Sequence, residues 1–133
     1  MNLSGKLQKH WKLFAVVAAG VLAGAIALFA MCVLGYAPFG DKVIAVADAR
    51  IQYLDFFSYL RQVIFGKDGL LFSFAKGLGG SGLALFAYYL ASPLNILAIF
   101  FPQGDLGLFF NILFIIKVIL AASFFAVFLT WRF

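Results

Sequence analysis

The sequence predicts an all-α membrane protein, with two transmembrane helices joined by a long external loop that carries interfacial helices. Three observations predict it. Of the 133 residues, 65% are hydrophobic and 11% charged, whereas a soluble domain is about half apolar and about a quarter charged. The apolar residues fall in runs long enough to cross a hydrocarbon core. Basic residues stand at the start of the chain and again just after its last apolar run, where a positive-inside topology needs them.

Residues 1–12 form a basic N-terminus expected in the cytoplasm. Lys6, Lys9 and Lys12 are spaced by three, with His10 and Trp11 among them. This cluster suits an anionic membrane surface, and it serves equally as a simple topology signal. The net charge of +5 is not gathered into a tract dense enough for nucleic acid.

The first transmembrane helix is expected over 13–34, which holds no charged residue. At 1.5 Å per residue it reaches about 33 Å, enough for the bilayer core. Gly20 and Gly24 form a GxxxG pair on which another helix could close. A cleaved signal peptide is the competing reading. The run is longer than an ordinary signal core, and Gly35-Tyr36-Ala37-Pro38 makes a poor cleavage site, so an uncleaved anchor is expected. Cys32, the single cysteine, excludes an internal disulfide and reads as a buried membrane residue. One Cys and one His exclude a Cys/His metal cluster within the chain.

Residues 35–105 form the external loop. An amphipathic helix is expected over about 49–65, where Asp48, Gln52, Asp55, Tyr59 and Gln62 recur at helical spacing as a narrow polar stripe. Ile51, Leu54, Phe57, Leu60 and Ile64 lie largely elsewhere. Such a helix fits the membrane interface or a wet cavity between helices. Over about 83–101 the chain is apolar but broken by Ser92-Pro93-Leu94-Asn95. Proline removes a backbone donor and disfavours helix just before it. Two short interfacial or re-entrant helices are expected, with a third span as the alternative. The second transmembrane helix is expected over 106–130, with 131–133 as a cytoplasmic end carrying Trp131 and Arg132.

The candidate chemistry is sparse. All five acids are Asp, namely Asp41, Asp48, Asp55, Asp68 and Asp105. Asp48 follows the first span closely. An acid at the outer face can act as a general base or hold a metal that neutralises a phosphate leaving group. It can also cap the helix that follows, and the roles are compatible. Lys117 stands near the middle of the second span, where a charge costs a few kcal/mol or more. It is expected to face a protein interior, a wet cavity or a lipid headgroup, or to form a structural pair. Gly77-Leu78-Gly79-Gly80-Ser81-Gly82 spells GxGxxG, but no strand–turn–helix unit or downstream acid supports a dinucleotide site. A tight turn allowing close backbone approach to packed protein or to a phosphate is the better reading.

One resemblance covers nearly the whole chain. The order is a basic start, a span, Gly35-Tyr36-Ala37-Pro38-Phe39-Gly40, and then Asp48 with Gln52-Tyr53. Gly77-Leu78-Gly79-Gly80, Ala87-Tyr88-Tyr89-Leu90-Ala91-Ser92-Pro93-Leu94-Asn95, Phe101-Pro102 and a span with Lys117 follow. This resembles the start of the YfhO family of bacterial membrane proteins. The resemblance implies a GT-C-like glycosyltransferase of the bacterial cell membrane. Such an enzyme moves a sugar from a polyprenyl-phosphate donor to an envelope acceptor such as lipoteichoic acid. It implies a catalytic or metal-binding Asp48, with a divalent metal as the candidate cofactor and Gln52 and Tyr53 as neighbours at the substrate. Charge and position add Arg50, Lys76 and Lys117 as candidates for the lipid phosphate. Family members are several times longer, so this chain is expected to be an N-terminal portion that lacks the complete site. Expected partners are membrane lipids, the donor and acceptor, and the remaining helices of a larger bundle or another membrane protein. The rival readings are a non-enzymatic accessory or scaffold protein and a component of a lipid-linked sugar transporter.

Overall fold

The computed structural model describes residues 3–74 and 79–132, with the side chains of the first helix described from His10 onward. Helices dominate. The order is α1 (Leu3–Leu34), a π-helical turn (Ala49–Tyr53), α2 (Leu54–Ile64), strand β1 (Phe72–Ser73) and strand β2 (Gly80–Ser81). There follow α3 (Gly82–Leu85), a second π-helical turn (Phe86–Leu90), two 3-10 segments (Pro93–Phe100 and Gln103–Asp105) and α4 (Leu106–Arg132). The all-α membrane class holds. Among the described residues two helical stretches are long and apolar enough to span a bilayer, His10–Leu34 and Gln103–Arg132, or three if the bent pair Gly82–Leu90 and Pro93–Phe100 counts as one broken span.

The chain divides into two units, Met1–Asp41 with Phe114–Phe133, and Lys42–Leu113. The first unit is built from α1 and the later part of α4. Within it, a Cβ on Gly24 would sit 2.9 Å from Cδ1 and Cγ1 of Ile119, and one on Gly20 would strike the Ser123 hydroxyl. The GxxxG face is therefore covered by α4 of the same chain, because two backbones approach this closely only where one side lacks a side chain. Phe14, Val21, Phe29, Phe124 and Phe128 stay exposed, and so does Cys32, which was expected to be buried, since helices gain nothing by hiding apolar surface from hydrocarbon.

Helix α1 begins at Leu3, so the basic residues before the first apolar run belong to the same helix as that run. Leu, Lys and Gln are good helix formers, and the segment before that run holds one glycine, Gly5, and no proline. The helix stops at Gly35, whose φ of 72° takes a conformation costly to side-chain residues. The Gly35 amide donates to the Cys32 carbonyl and the Tyr36 amide to that of Met31, the paired bonds of a Schellman stop. Helix α2 ends the same way at Gly66, with Gly66 donating to Val63 and Lys67 to Gln62.

In the second unit, α2 buries Phe57, Tyr59 and Leu60 against Leu90, Ala98, Leu106 and Phe109. Each large apolar side chain buried this way contributes about 1.5–3 kcal/mol. The Phe57 and Phe109 rings meet edge to face at 5.0 Å, a favoured aromatic geometry. The helical pieces Gly82–Leu90 and Pro93–Phe100 meet at 102°. Pro93 opens the second piece, where its missing N–H leaves no bond unmade. Asn111 of α4 is fully buried. Its Oδ1 accepts from the Ile44 amide at 2.8 Å and its Nδ2 donates to the Lys42 carbonyl at 3.1 Å. One side chain thus satisfies both backbone groups of an extended strap.

Candidate functional site

Asp48 opens the second unit's helical part. The preceding residue, Ala47, has a φ of 48°, a left-handed conformation that costs a non-glycine residue about 1–2 kcal/mol. Its carbonyl accepts from both Arg50 and Ile51, which tightens the turn that presents Asp48. The expected capping role is corrected here. Asp48 is already helical, with φ −58° and ψ −33°, and makes no side-chain cap bond. A cap needs an extended backbone at its own residue to turn its oxygen onto the next amides. The Asp48 carboxylate is instead exposed, as is Arg50.

Gln52 and Tyr53 turn inward. The Tyr89 hydroxyl donates to Gln52 Oε1 at 3.2 Å, and the Tyr53 ring lies edge-on to the Tyr89 ring at 5.2 Å. The two π-helical turns therefore meet through these three side chains. A π turn is rare and recurs at functional positions, since its extra residue re-aims side chains. The polar stripe of the sequence is a seam rather than a solvated face. Asp48 and Asp55 are exposed, Gln52 and Gln62 are half-buried, and Tyr59 is buried.

Beyond Tyr89 lies an open pocket of about 460 Å³. Among the described residues it is lined by Gly79, Gly80, Ser81, Ala84, Leu85, Tyr88 and Tyr89. The glycines differ in their reasons. Gly79 has a φ of 103°, and a Cβ there would lie 2.6 Å from the Phe72 ring. A Cβ on Gly82 would strike the Tyr59 hydroxyl and the Leu70 carbonyl. Both serve close approach to packed protein. Gly80 has no positive φ, and a Cβ there would meet nothing within 4 Å.

A second polar cluster shapes the hairpin before the pocket. Asp68 accepts from the Gly69 amide and the Ser73 hydroxyl, both at 2.7 Å. The Tyr59 hydroxyl donates to the Gly69 carbonyl at 2.7 Å. Burial, with the nearby Asp68 charge adding to it, holds the Tyr59 phenol above its ordinary value. Both disfavour a phenolate.

The other candidates stand apart. Lys117 belongs to the unit of α1 and α4, and its side chain is exposed. The structural pairing allowed for it is not formed among the described residues. Lys76 lies outside the described residues. No group of three or more His, Cys, Asp or Glu side chains suited to a metal forms among the described residues. Asp48 alone does not fit a divalent ion, which takes several oxygen ligands.

The family described as bacterial membrane protein YfhO matches residues 19–133. The chain belongs to the YfhO family. Comparison with curated proteins and with solved structures gives no match. The YfhO match includes Asp48, both π-helical turns and the pocket. Residue-by-residue reading missed the roles of Tyr89 and Asn111. A tyrosine pair in an apolar run and a lone Asn in a span were the available signals, since each polar group there needs a partner.

Proposed function

We propose that this YfhO chain supplies the base-bearing first module of a membrane glycosyltransferase. The sugar passes from a polyprenyl-phosphate donor to a hydroxyl of an envelope polymer such as lipoteichoic acid. In this reading the N-terminus is cytoplasmic and Asp48 works at the outer face. Asp48 removes the proton of the acceptor hydroxyl as that oxygen bonds to the anomeric carbon. The carbon–oxygen bond to the lipid phosphate breaks, and the phosphate leaves with the electron pair. Arg50, exposed two residues from Asp48, offsets the charge growing on that phosphate, with Lys76 and Lys117 as further candidates.

The observation that carries the reading is the unspent carboxylate. Asp48 follows a strained turn, is exposed and makes no cap bond. Backbone strain beside a reactive group is how functional sites are often built. The scaffold reading loses its best feature, because Gly20 and Gly24 already pack on Ile119 and Ser123.

The test is Asp48→Asn in the protein as it occurs in cell membranes. Transfer should fall by about 100-fold or more, the scale of a lost general base, with insertion and abundance unchanged. Normal transfer by that variant would remove Asp48 from the chemistry.

A further inference from the structure

We infer that the pocket lined by Gly79, Gly80 and Ser81 and by Tyr88 and Tyr89 is a binding site for a neutral pyranose ring. The choice of a sugar rests on the glycosyltransferase reading, while the site itself rests on the geometry.

The size fits. At about 460 Å³ the pocket lies within the range of small-molecule sites. The lining selects the chemistry. Among the described residues the lining carries no charged side chain, and its polar groups are the hydroxyls of Ser81, Tyr88 and Tyr89, which match the hydroxyls of a neutral ligand. A plain isoprenoid chain would bury the Ser81 hydroxyl and two phenols against hydrocarbon, which leaves polar groups unpaired. A pyranose has apolar C–H faces and a rim of hydroxyls, and it answers both features.

The parts are placed for it. Tyr88 is 80% exposed, and its ring is braced edge-on against Tyr89 at 4.6 Å. It offers a flat face held by packing. The Tyr89 hydroxyl spends its proton on Gln52 and keeps its lone pairs to accept from a sugar hydroxyl. Ser81 Oγ accepts from the Ala84 amide at 3.2 Å, which leaves its own proton to donate.

Gly80 is the telling residue. Gly79 and Gly82 are required by the fold, whereas at Gly80 neither φ nor a neighbour demands a glycine. The space a side chain would fill there borders the pocket, and a ligand can approach the backbone in it.

The experiment incorporates 3-fluorotyrosine into the protein in lipid nanodiscs. The Tyr88 resonance is assigned by its loss in Tyr88→Phe. Methyl glycosides of glucose, galactose and N-acetylglucosamine are titrated in turn, then inorganic phosphate and farnesol. The expected result is that at least one glycoside shifts the Tyr88 resonance saturably, and phosphate and farnesol do not. Gly80→Leu should weaken that glycoside about tenfold or more, with the Tyr53 and Tyr59 resonances unmoved. Ala84→Leu blocks the same space from the exposed helix and serves as the second variant. A Tyr88 response to farnesol or phosphate alone, no response to any glycoside, or glycoside binding untouched by both blocking variants overturns the inference. Asp48→Asn should keep the glycoside response. If that variant still transfers sugar, the base falls and the pocket stands. If transfer needs Asp48 but no glycoside moves Tyr88, the pocket falls and the base stands.

Discussion

In the unit of Met1–Asp41 and Phe114–Phe133, two long helices satisfy their own backbones and meet through glycines. In the unit of Lys42–Leu113, short helical pieces and bent turns rely on side chains to satisfy backbone groups and to fill a core. The first unit can leave large apolar residues exposed because hydrocarbon is their solvent. The second also leaves Leu71, Phe74 and Phe100 exposed, but it adds a core in which Phe57, Leu90 and Phe109 are almost fully buried. One short chain thus contains two regimes of stabilisation. A substitution should be read by the regime in which it falls.

The largest test of that contrast is Asn111→Leu. The change keeps size but removes the bonds to Ile44 and Lys42. Taking this partner from two part-buried backbone groups should cost about 1–3 kcal/mol. Protease protection of Lys42–Leu113 should fall sharply while far-UV helical signal, dominated by α1 and α4, is retained. Unchanged protection would mean that the strap does not depend on Asn111. Loss of all helical signal together would show one regime rather than two.

A smaller effect sharpens the other side. Gly20→Ala places a methyl group against the Ser123 hydroxyl. Overpacking costs about 1–3 kcal/mol, partly offset by the roughly 1 kcal/mol that alanine adds to a helix. Ser123→Ala removes the oxygen that is struck, so the double variant should recover. A double-mutant cycle on unfolding in mixed micelles should give a coupling of about 1 kcal/mol. Strict additivity would show that the two helices do not meet at Gly20.

The same division decides what was legible in the sequence. Both spans follow from charge-free apolar runs, because a bilayer leaves helix as the main way to satisfy a backbone. Gly20 and Gly24 were legible as a contact, though not the identity of the partner. Asp48 was legible as a polar residue just past a span. Its cap role was not, since capping depends on one pair of dihedral angles. The Asn111 strap joins residues 67 and 69 apart, and Gln52 meets Tyr89 37 residues on. No local period encodes such pairs. The π-helical turns escaped for a related reason. Their composition matches an ordinary helix, and only packing selects the extra residue.

The smallest expected effect concerns Tyr59, which belongs wholly to the second regime. Tyr59→Phe keeps the buried ring and removes the bond to the Gly69 carbonyl, at a cost of about 1 kcal/mol. Its signature is in the pH dependence. The phenol is held above its ordinary value of 10.0 by burial first and by Asp68 second, so between the two values the unfolded chain has released a proton that the folded chain keeps. Stability from this group is therefore present in full below pH 10.0 and is lost as the pH rises through the raised value. The difference in unfolding free energy between wild type and Tyr59→Phe should be constant at neutral pH and shrink on the alkaline side. Asp68→Asn should reduce that alkaline slope without abolishing it, since burial is the larger cause. A difference that stays flat to strongly alkaline pH would show that Tyr59 reaches water, and the hairpin would then belong to neither regime as described.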